Sequence, residues 1–129
     1  MNLDSIATYL EDHFCGIVSE SIFTAEMPED ATEGILLVGP YNGTQVNAEL
    51  RGYFVTTFRL ISRSASYDTG IALARKACLV LDSQRGYTLP DMQVRQCIPS
   101  NLPRPYRRSV GGFWEFHVDM EVVFVDSSA

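Results

Sequence analysis

In the C-terminal run from Trp114 to Phe124, the apolar residues Trp114, Phe116, Val118, Met120, Val122 and Phe124 alternate with Glu115, His117, Asp119 and Glu121. A period of two sets the apolar side chains on one face of a β-strand and the charged ones on the other, whereas a helix would scatter both sets around its circumference. One face of this strand is therefore core. The rest of the chain has to supply what covers it.

Upstream, the periodicity changes twice. Leu3, Ile6, Ala7, Leu10 and Phe14 recur at helical spacing and Gly16 offers a stop, which predicts an amphipathic helix over about residues 3–15. Residues 17–27 are β-prone around Ile22 and Phe23, and the acidic stretch from Met27 to Glu33 reads as a loop. Gly34-Ile35-Leu36-Leu37-Val38-Gly39 is an apolar run bracketed by glycines, the pattern of a buried strand, and Pro40-Tyr41-Asn42-Gly43 supplies turn chemistry. Residues 52–61, rich in β-branched and aromatic side chains, predict a longer strand, followed by a polar break from Ser62 to Ser66. Asp68 is the expected N-cap of a second helix running to about Ser83. Ile71, Ala74, Cys78 and Leu81 mark its buried face, and Ala72, Ala74 and Ala77 would let it sit close to a sheet. Met92, Val94, Gln96 and Ile98 alternate with Gln93, Arg95 and Cys97 as one more strand, after which Pro99, Pro103 and Pro105 enforce a loop.

Helix, three strands, helix, two strands is not the regular alternation of a doubly wound parallel fold. The expected class is α+β: a mainly antiparallel β-sheet with two α-helices packed against it. With 129 residues, 46% of them hydrophobic, the chain has the size of one domain with one core, so residues 1–129 are read as a single compact unit.

Charge excludes some partners. The net charge of −6 offers no general attraction to phosphate, which argues against a specific nucleic-acid ligand. No apolar run approaches the roughly 20 residues needed to cross a bilayer, and the N-terminus has no basic segment followed by an uninterrupted apolar one. The expectation is a soluble intracellular chain with no membrane partner. Cys15, Cys78 and Cys97 are odd in number and lie in apolar patterns without metal-ligand spacing, as small buried residues in a reducing compartment do.

The distribution of charge is more informative than its total. Residues 1–50 contain nine acids and no Lys or Arg, whereas the remainder holds all ten basic residues against seven acids, giving −9 and +3. Internal pairing within one chain would account for this, as would a subunit whose acidic flank meets the basic flank of the next copy. Nine of the ten basic residues are Arg, which suits desolvated bidentate contacts with carboxylates.

Glu115, His117, Asp119 and Glu121 place an imidazole among carboxylates on one strand face. Alternate strand residues stand about 6.5–7 Å apart, so they would share a metal only with ligands from elsewhere. A polar sheet face or a subunit contact is the plainer reading. His13, near Cys15, reads as the end of a helix. Gly111-Gly112 precedes a strand rather than a helix and lacks the geometry of a phosphate-binding loop, and no G-x-S-x-G elbow is present. No catalytic residue, metal ligand or cofactor is assigned, and a small α+β enzyme using His117 and its neighbouring carboxylates is the alternative from another class.

The stretch from Pro99 to Ser109 combines three prolines with Arg104, Tyr106, Arg107 and Arg108. A stiffened segment loses less entropy on binding, and Arg and Tyr are favoured at interfaces, so an interaction loop facing an acidic protein surface is expected here. The complementary acidic set is Glu26, Glu29, Asp30 and Glu33.

The N-terminal helix is followed by a strand ending Arg59-Leu60-Ile61-Ser62-Arg63-Ser64. Next come Ser66-Tyr67-Asp68-Thr69-Gly70-Ile71-Ala72-Leu73-Ala74 opening a helix that ends at Leu79-Val80-Leu81, a strand over Gln93–Ile98, and Gly111-Gly112-Phe113-Trp114-Glu115-Phe116 entering the last strand. In this order and spacing the chain resembles the bacteriophage tail terminator family, also described as tail completion or minor tail proteins, over nearly its whole length. The resemblance implies a small α/β protein that forms a ring, typically a hexamer, on the head-proximal end of the tail tube. It would be assembled in the host cytoplasm and carried in the virion. It would stop tube polymerisation and present a surface to the head. The implied partners are further copies of itself, the major tail tube protein and a head–tail connector or neck protein, with neither catalytic residues nor a cofactor. A head completion or minor capsid neck protein is the neighbouring alternative.

Overall fold

The computed structural model describes residues 3–13, 15–24, 26–28, 33–39, 45–46, 53–82, 86–107 and 112–126. Helix α1 (Leu3–Asp12) buries Ile6, Ala7 and Leu10 along one side and carries Asp4 in its first turn, where a carboxylate favours the positive end of the helix dipole. It stops short of the expected end. His13 and Cys15 both return their N–H groups to the Leu10 carbonyl, at 3.2 and 3.0 Å, and so leave the helical pattern.

Strands β1 (Ile22–Thr24), β2 (Gly34–Val38), β3 (Gln45–Val46) and β4 (Tyr53–Ser64) follow, then helix α2 (Tyr67–Leu81). Strands β5 (Tyr87–Thr88), β6 (Met92–Pro99), β7 (Arg104–Arg107) and β8 (Trp114–Asp126) complete the order. The eight strands form one sheet in the order β1-β2-β4-β8-β6-β5, with β3 beside β4 and β7 beside β8. Among the described residues β1 and β2 pair in parallel and the remaining strand pairs are antiparallel, so the fold is α+β as expected.

Strand β8 is the centre of this sheet. It pairs with β4 from Tyr53 opposite Val125 to Ser64 opposite Trp114. Phe116, Val118, Met120, Val122 and Phe124 are all buried, the last four in one core with Phe58 and Leu60 of β4, Ile6 and Leu10 of α1, and Ala77 and Leu81 of α2. Trp114, expected in the same set, is only half-buried at the strand end, with the Tyr67 ring edge-on at 5.0 Å. Helix α1 also joins the two ends of the sheet path. Thr24 Oγ1 on β1 donates to Asp4 Oδ1 at 2.9 Å, Ser5 Oγ donates to Asp91 Oδ1 at 2.6 Å, and Tyr9 stacks on Tyr87 of β5 at 4.3 Å. The sheet therefore curls around α1.

Several local expectations are corrected. Ser62–Ser64 continue β4 instead of breaking it, because their polar groups are bonded where they are buried. Ser62 Oγ donates to the Gly70 carbonyl at 2.8 Å, Arg63 pairs with Glu115, and Ser64 Oγ accepts the Ser66 N–H at 3.1 Å. Ser66, not Asp68, caps α2 by accepting the Thr69 N–H, and Asp68 falls in the first turn. The helix ends at Leu81, and Ser83 lies outside the described residues. Its buried stripe is Gly70, Ala74, Ala77 and Leu81, while Ile71 and Cys78 are half-buried and Ala72 is exposed. Gly70 sets this rotation: a Cβ there would stand 2.8 Å from Phe116 Cε2, so only glycine lets the helix rest on that ring. In β6 a bulge between Val94 and Gln96 shifts the alternation by one, and Cys97 is buried in place of Gln96 and Ile98. The expected 99–109 loop contains β7, whose Pro105 is tolerated because the strand lies at an edge. Phe14, the turn at 40–43 and Gly111 lie outside the described residues.

Candidate interaction surface

On the sheet face away from the helices, β4 sets Arg59, Ile61 and Arg63 opposite Asp119, His117 and Glu115 of β8. Directly paired antiparallel residues point to the same side, so these six form one patch. Arg63 reaches Glu115 Oε2 with Nε and Nη2, both at 3.0 Å, and donates from Nη1 to the Pro28 carbonyl at 3.0 Å. The two side chains are 5% and 17% exposed, so this ion pair is largely shielded from water. Asp119 is held from both sides, by Arg59 Nε at 2.9 Å on Oδ1 and by Arg104 Nη2 at 3.3 Å on Oδ2. Glu121, further along, is exposed.

His117 lies between these carboxylates. Its Nε2 is 3.8 Å from Glu115 Oε1, too far for a hydrogen bond, and the Tyr106 ring covers it with centroids 4.4 Å apart. Burial lowers its pKa below the ordinary 6.5, Arg59 pushes the same way, and Glu115 only partly opposes them. The imidazole is therefore neutral at pH 7. The face is not the open, solvated surface that the alternation alone allows.

The connection 99–103 crosses the gap where β8 changes neighbour from β6 to β7. Ser100 N–H donates to the Asp119 carbonyl at 2.7 Å, Asn101 Oδ1 accepts the Asp119 N–H at 2.9 Å, and Asn101 Nδ2 donates to the His117 carbonyl at 3.2 Å. Its amide thus replaces a missing strand partner.

These groups are arranged for pairing, not for reaction. Among the described residues no group of three or more His, Cys, Asp and Glu is placed to hold a metal ion. The cysteines are shielded: burial pushes the Cys78 thiol up to about 11 and the Cys97 thiol up to about 12, which suppresses the nucleophilic thiolate. No described helix is long and apolar enough to cross a membrane.

Of the residues expected to meet partners, Arg104 and Tyr106 lie exposed on β7, although Arg104 is also committed to Asp119 and Tyr106 to His117. Arg107 closes β7 opposite Trp114. Glu26 and Glu33 are exposed, and Arg108, Glu29 and Asp30 lie outside the described residues. The register Tyr106–Glu115–Arg63–Gly34 brings the basic strand and the acidic stretch to the same end of the sheet. Three strand spacings, about 14 Å, still separate them. The sequence reading missed Arg59, Arg63 and Asn101. Their signal is the shared spacing of four in Arg59/Arg63 and Glu115/Asp119, which matches charge to charge when the two strands run antiparallel.

Fold and surface together define a small α+β protein whose charged sheet face is taken up by its own ion pairs. The bacteriophage tail terminator protein family profile matches residues 9–126, and the chain belongs to that family. It is a structural protein of the phage tail, with its place in the virion, and not an enzyme, which retires the reading built on His117. A chain in the virion of a native gene transfer agent particle has a similar fold, with a TM-score of 0.64 and 14% identity over 95% of this chain and 84% of that one. A search of curated protein sequences gives no match.

Proposed function

We propose that the protein closes into a ring, a hexamer by its family resemblance, on the head-proximal end of the tail tube. The ring ends tube polymerisation and offers its outer surface to a head–tail connector or neck protein. The observation that carries this reading is that, among the described residues, the exposed basic side chains all lie away from an entirely acidic part of the surface. Asp4, Asp12, Glu20, Glu26 and Glu33 are exposed on α1, β1, β2 and the turns beside them, in a part of the chain without Lys or Arg, whereas Arg75, Lys76, Arg95 and Arg104 are exposed on α2, β6 and β7, with Asp68, Asp82 and Glu121 also exposed in this second part. An acidic patch on one copy facing arginines on a different patch of the next suits a head-to-tail contact, which closes into a ring when the rotation allows.

Native mass spectrometry and light scattering across a range of concentrations, alone and with tail tubes, test the reading. A closed oligomer that blocks further tube growth is the expected result. A strict monomer in every condition, tubes included, would overturn it.

A further inference from the structure

The most exposed large apolar side chains among the described residues are Leu79 on α2, 76% exposed, and Leu102 on the 99–103 connection, 84% exposed. They face a common groove of about 260 Å³ whose other walls include Cys78, Pro99 and Pro103. Two prolines and the Asn101 bonds to β8 stiffen one wall, and a helix forms the other, so the groove exists before anything enters it. Arg75 and Asp82 also line it, a helical turn or more apart along α2 and its cap.

Elsewhere on the chain a second apolar feature faces solvent. Ile17 is 54% and Val18 36% exposed, at the tip of the turn between α1 and β1. The turn is tightly bonded. The N–H groups of Glu20, Ser21 and Ile22 all converge on the Ile17 carbonyl at 3.1, 2.8 and 3.0 Å, and the Val18 N–H is held by Glu11 Oε2 at 2.6 Å. Ser19 is kept at φ +72°, a conformation unfavourable for a non-glycine residue. Exposed Glu20 adjoins this knuckle.

The geometry points to the knuckle of one copy seating in the α2 groove of the next, with Ile17 and Val18 against Leu79 and Leu102 and with Glu20 toward Arg75. The inference rests on the ring reading and names the surfaces that would build it. The charges choose the orientation, since the reverse one would set Glu20 against Asp82. The knuckle leads into β1, whereas the groove is walled by α2 and the 99–103 connection, and the two share no residue. Knuckle and groove are thus different patches on one chain, which makes the contact heterologous and able to propagate.

Two double variants test it: Ile17→Glu with Val18→Glu in the knuckle, and Leu79→Glu with Leu102→Glu in the groove. Each alone should lose every species above monomer. Mixed, they should form a one-to-one dimer and nothing larger, because a single intact knuckle and a single intact groove remain between them. Arg75→Glu should raise the concentration for half-assembly at least tenfold, and adding Glu20→Arg to the same chain should reverse most of that rise. If the groove pair lowers the melting temperature, Leu102→Ser, outside any helix or strand, carries the test. Variants that assemble like the parent, or a mixture that stays monomeric, overturn the contact and leave the ring reading standing. Variants that assemble but no longer bind tubes assign these patches to the tube protein and overturn it equally. A parent chain that never assembles, even on tubes, overturns both the contact and the ring.

Discussion

The side-chain amide of Asn101 does for Asp119 what a neighbouring strand would do, accepting its N–H at 2.9 Å at the point where β8 leaves β6 and has not yet met β7. Buried backbone groups left without partners are costly, so this residue lets two short strands share one long one. Asn101→Ala should cost about 1–3 kcal/mol, the penalty of leaving the Asp119 donor unsatisfied. The urea midpoint gives the magnitude, and faster hydrogen exchange at the Asp119 amide locates the cause. Unchanged exchange there would show that the amide is not the effective partner.

Arg63 and Glu115 make a different kind of contribution, because both are largely out of water. Removing one member leaves the other charge uncompensated, and Arg63→Met should destabilise by about 3–5 kcal/mol. Pairing it with Glu115→Met should recover most of the loss, since two apolar side chains need no counter-charge. Equal destabilisation in the single and double variants would mean that the guanidinium acts chiefly through its bond to the Pro28 carbonyl instead.

How much of this was legible in the sequence follows from the range of each interaction. The alternation of residues 114–124 and the helical spacing of Leu3 to Leu10 are local signals, and the strand and the helix formed where they point. Ser62, Arg63 and Ser64 misled because polarity normally ends a strand, whereas here their partners, Gly70, Glu115 and Ser66, include one more than fifty residues away. The bulge at Arg95 was equally hidden. It shifts the phase within a run whose residue types suit either face. At the surface, the split of charge between the two parts of the chain was visible from counting. That Arg104 also serves Asp119 depends on the β7–β8 register, which no local pattern encodes.

His117 gives the chain a pH dependence of known sign. Burial, and then Arg59, keep its folded pKa below the ordinary 6.5, so the unfolded chain takes up a proton at pH values where the folded one does not. The stabilising preference for neutral imidazole is complete above that value and is lost as the pH falls through it toward the folded pKa. His117→Gln removes this titration. Its melting temperature should therefore fall less than the parent's between about pH 7 and pH 5. Parallel curves for the two proteins would mean that the folded state protonates this imidazole as readily as the unfolded one.

Gly70 and Phe116 test how closely α2 is seated on the sheet. On intrinsic propensity alone, Gly→Ala inside a helix stabilises by about 1 kcal/mol. At this position the new Cβ would lie 2.8 Å from Cε2 and 3.1 Å from Cδ2 of the Phe116 ring, which is fully buried and further pinned by Tyr67 edge-on at 5.0 Å. Overpacking of a fixed core typically costs about 1–3 kcal/mol, so the clash should outweigh the propensity gain and Gly70→Ala should be net destabilising. Phe116→Ala should cost more, about 3–5 kcal/mol, through the cavity it leaves. Trp114→Ala, at the half-buried strand end, should cost less than Phe116→Ala despite removing the larger side chain. The most direct check places Gly70→Ala on a Phe116→Leu background, where it should lose less stability than on the parent, because the Cε2 atom it would strike hardest is gone. A Gly70→Ala penalty that is the same on both backgrounds would show that the ring is not what holds this position to glycine.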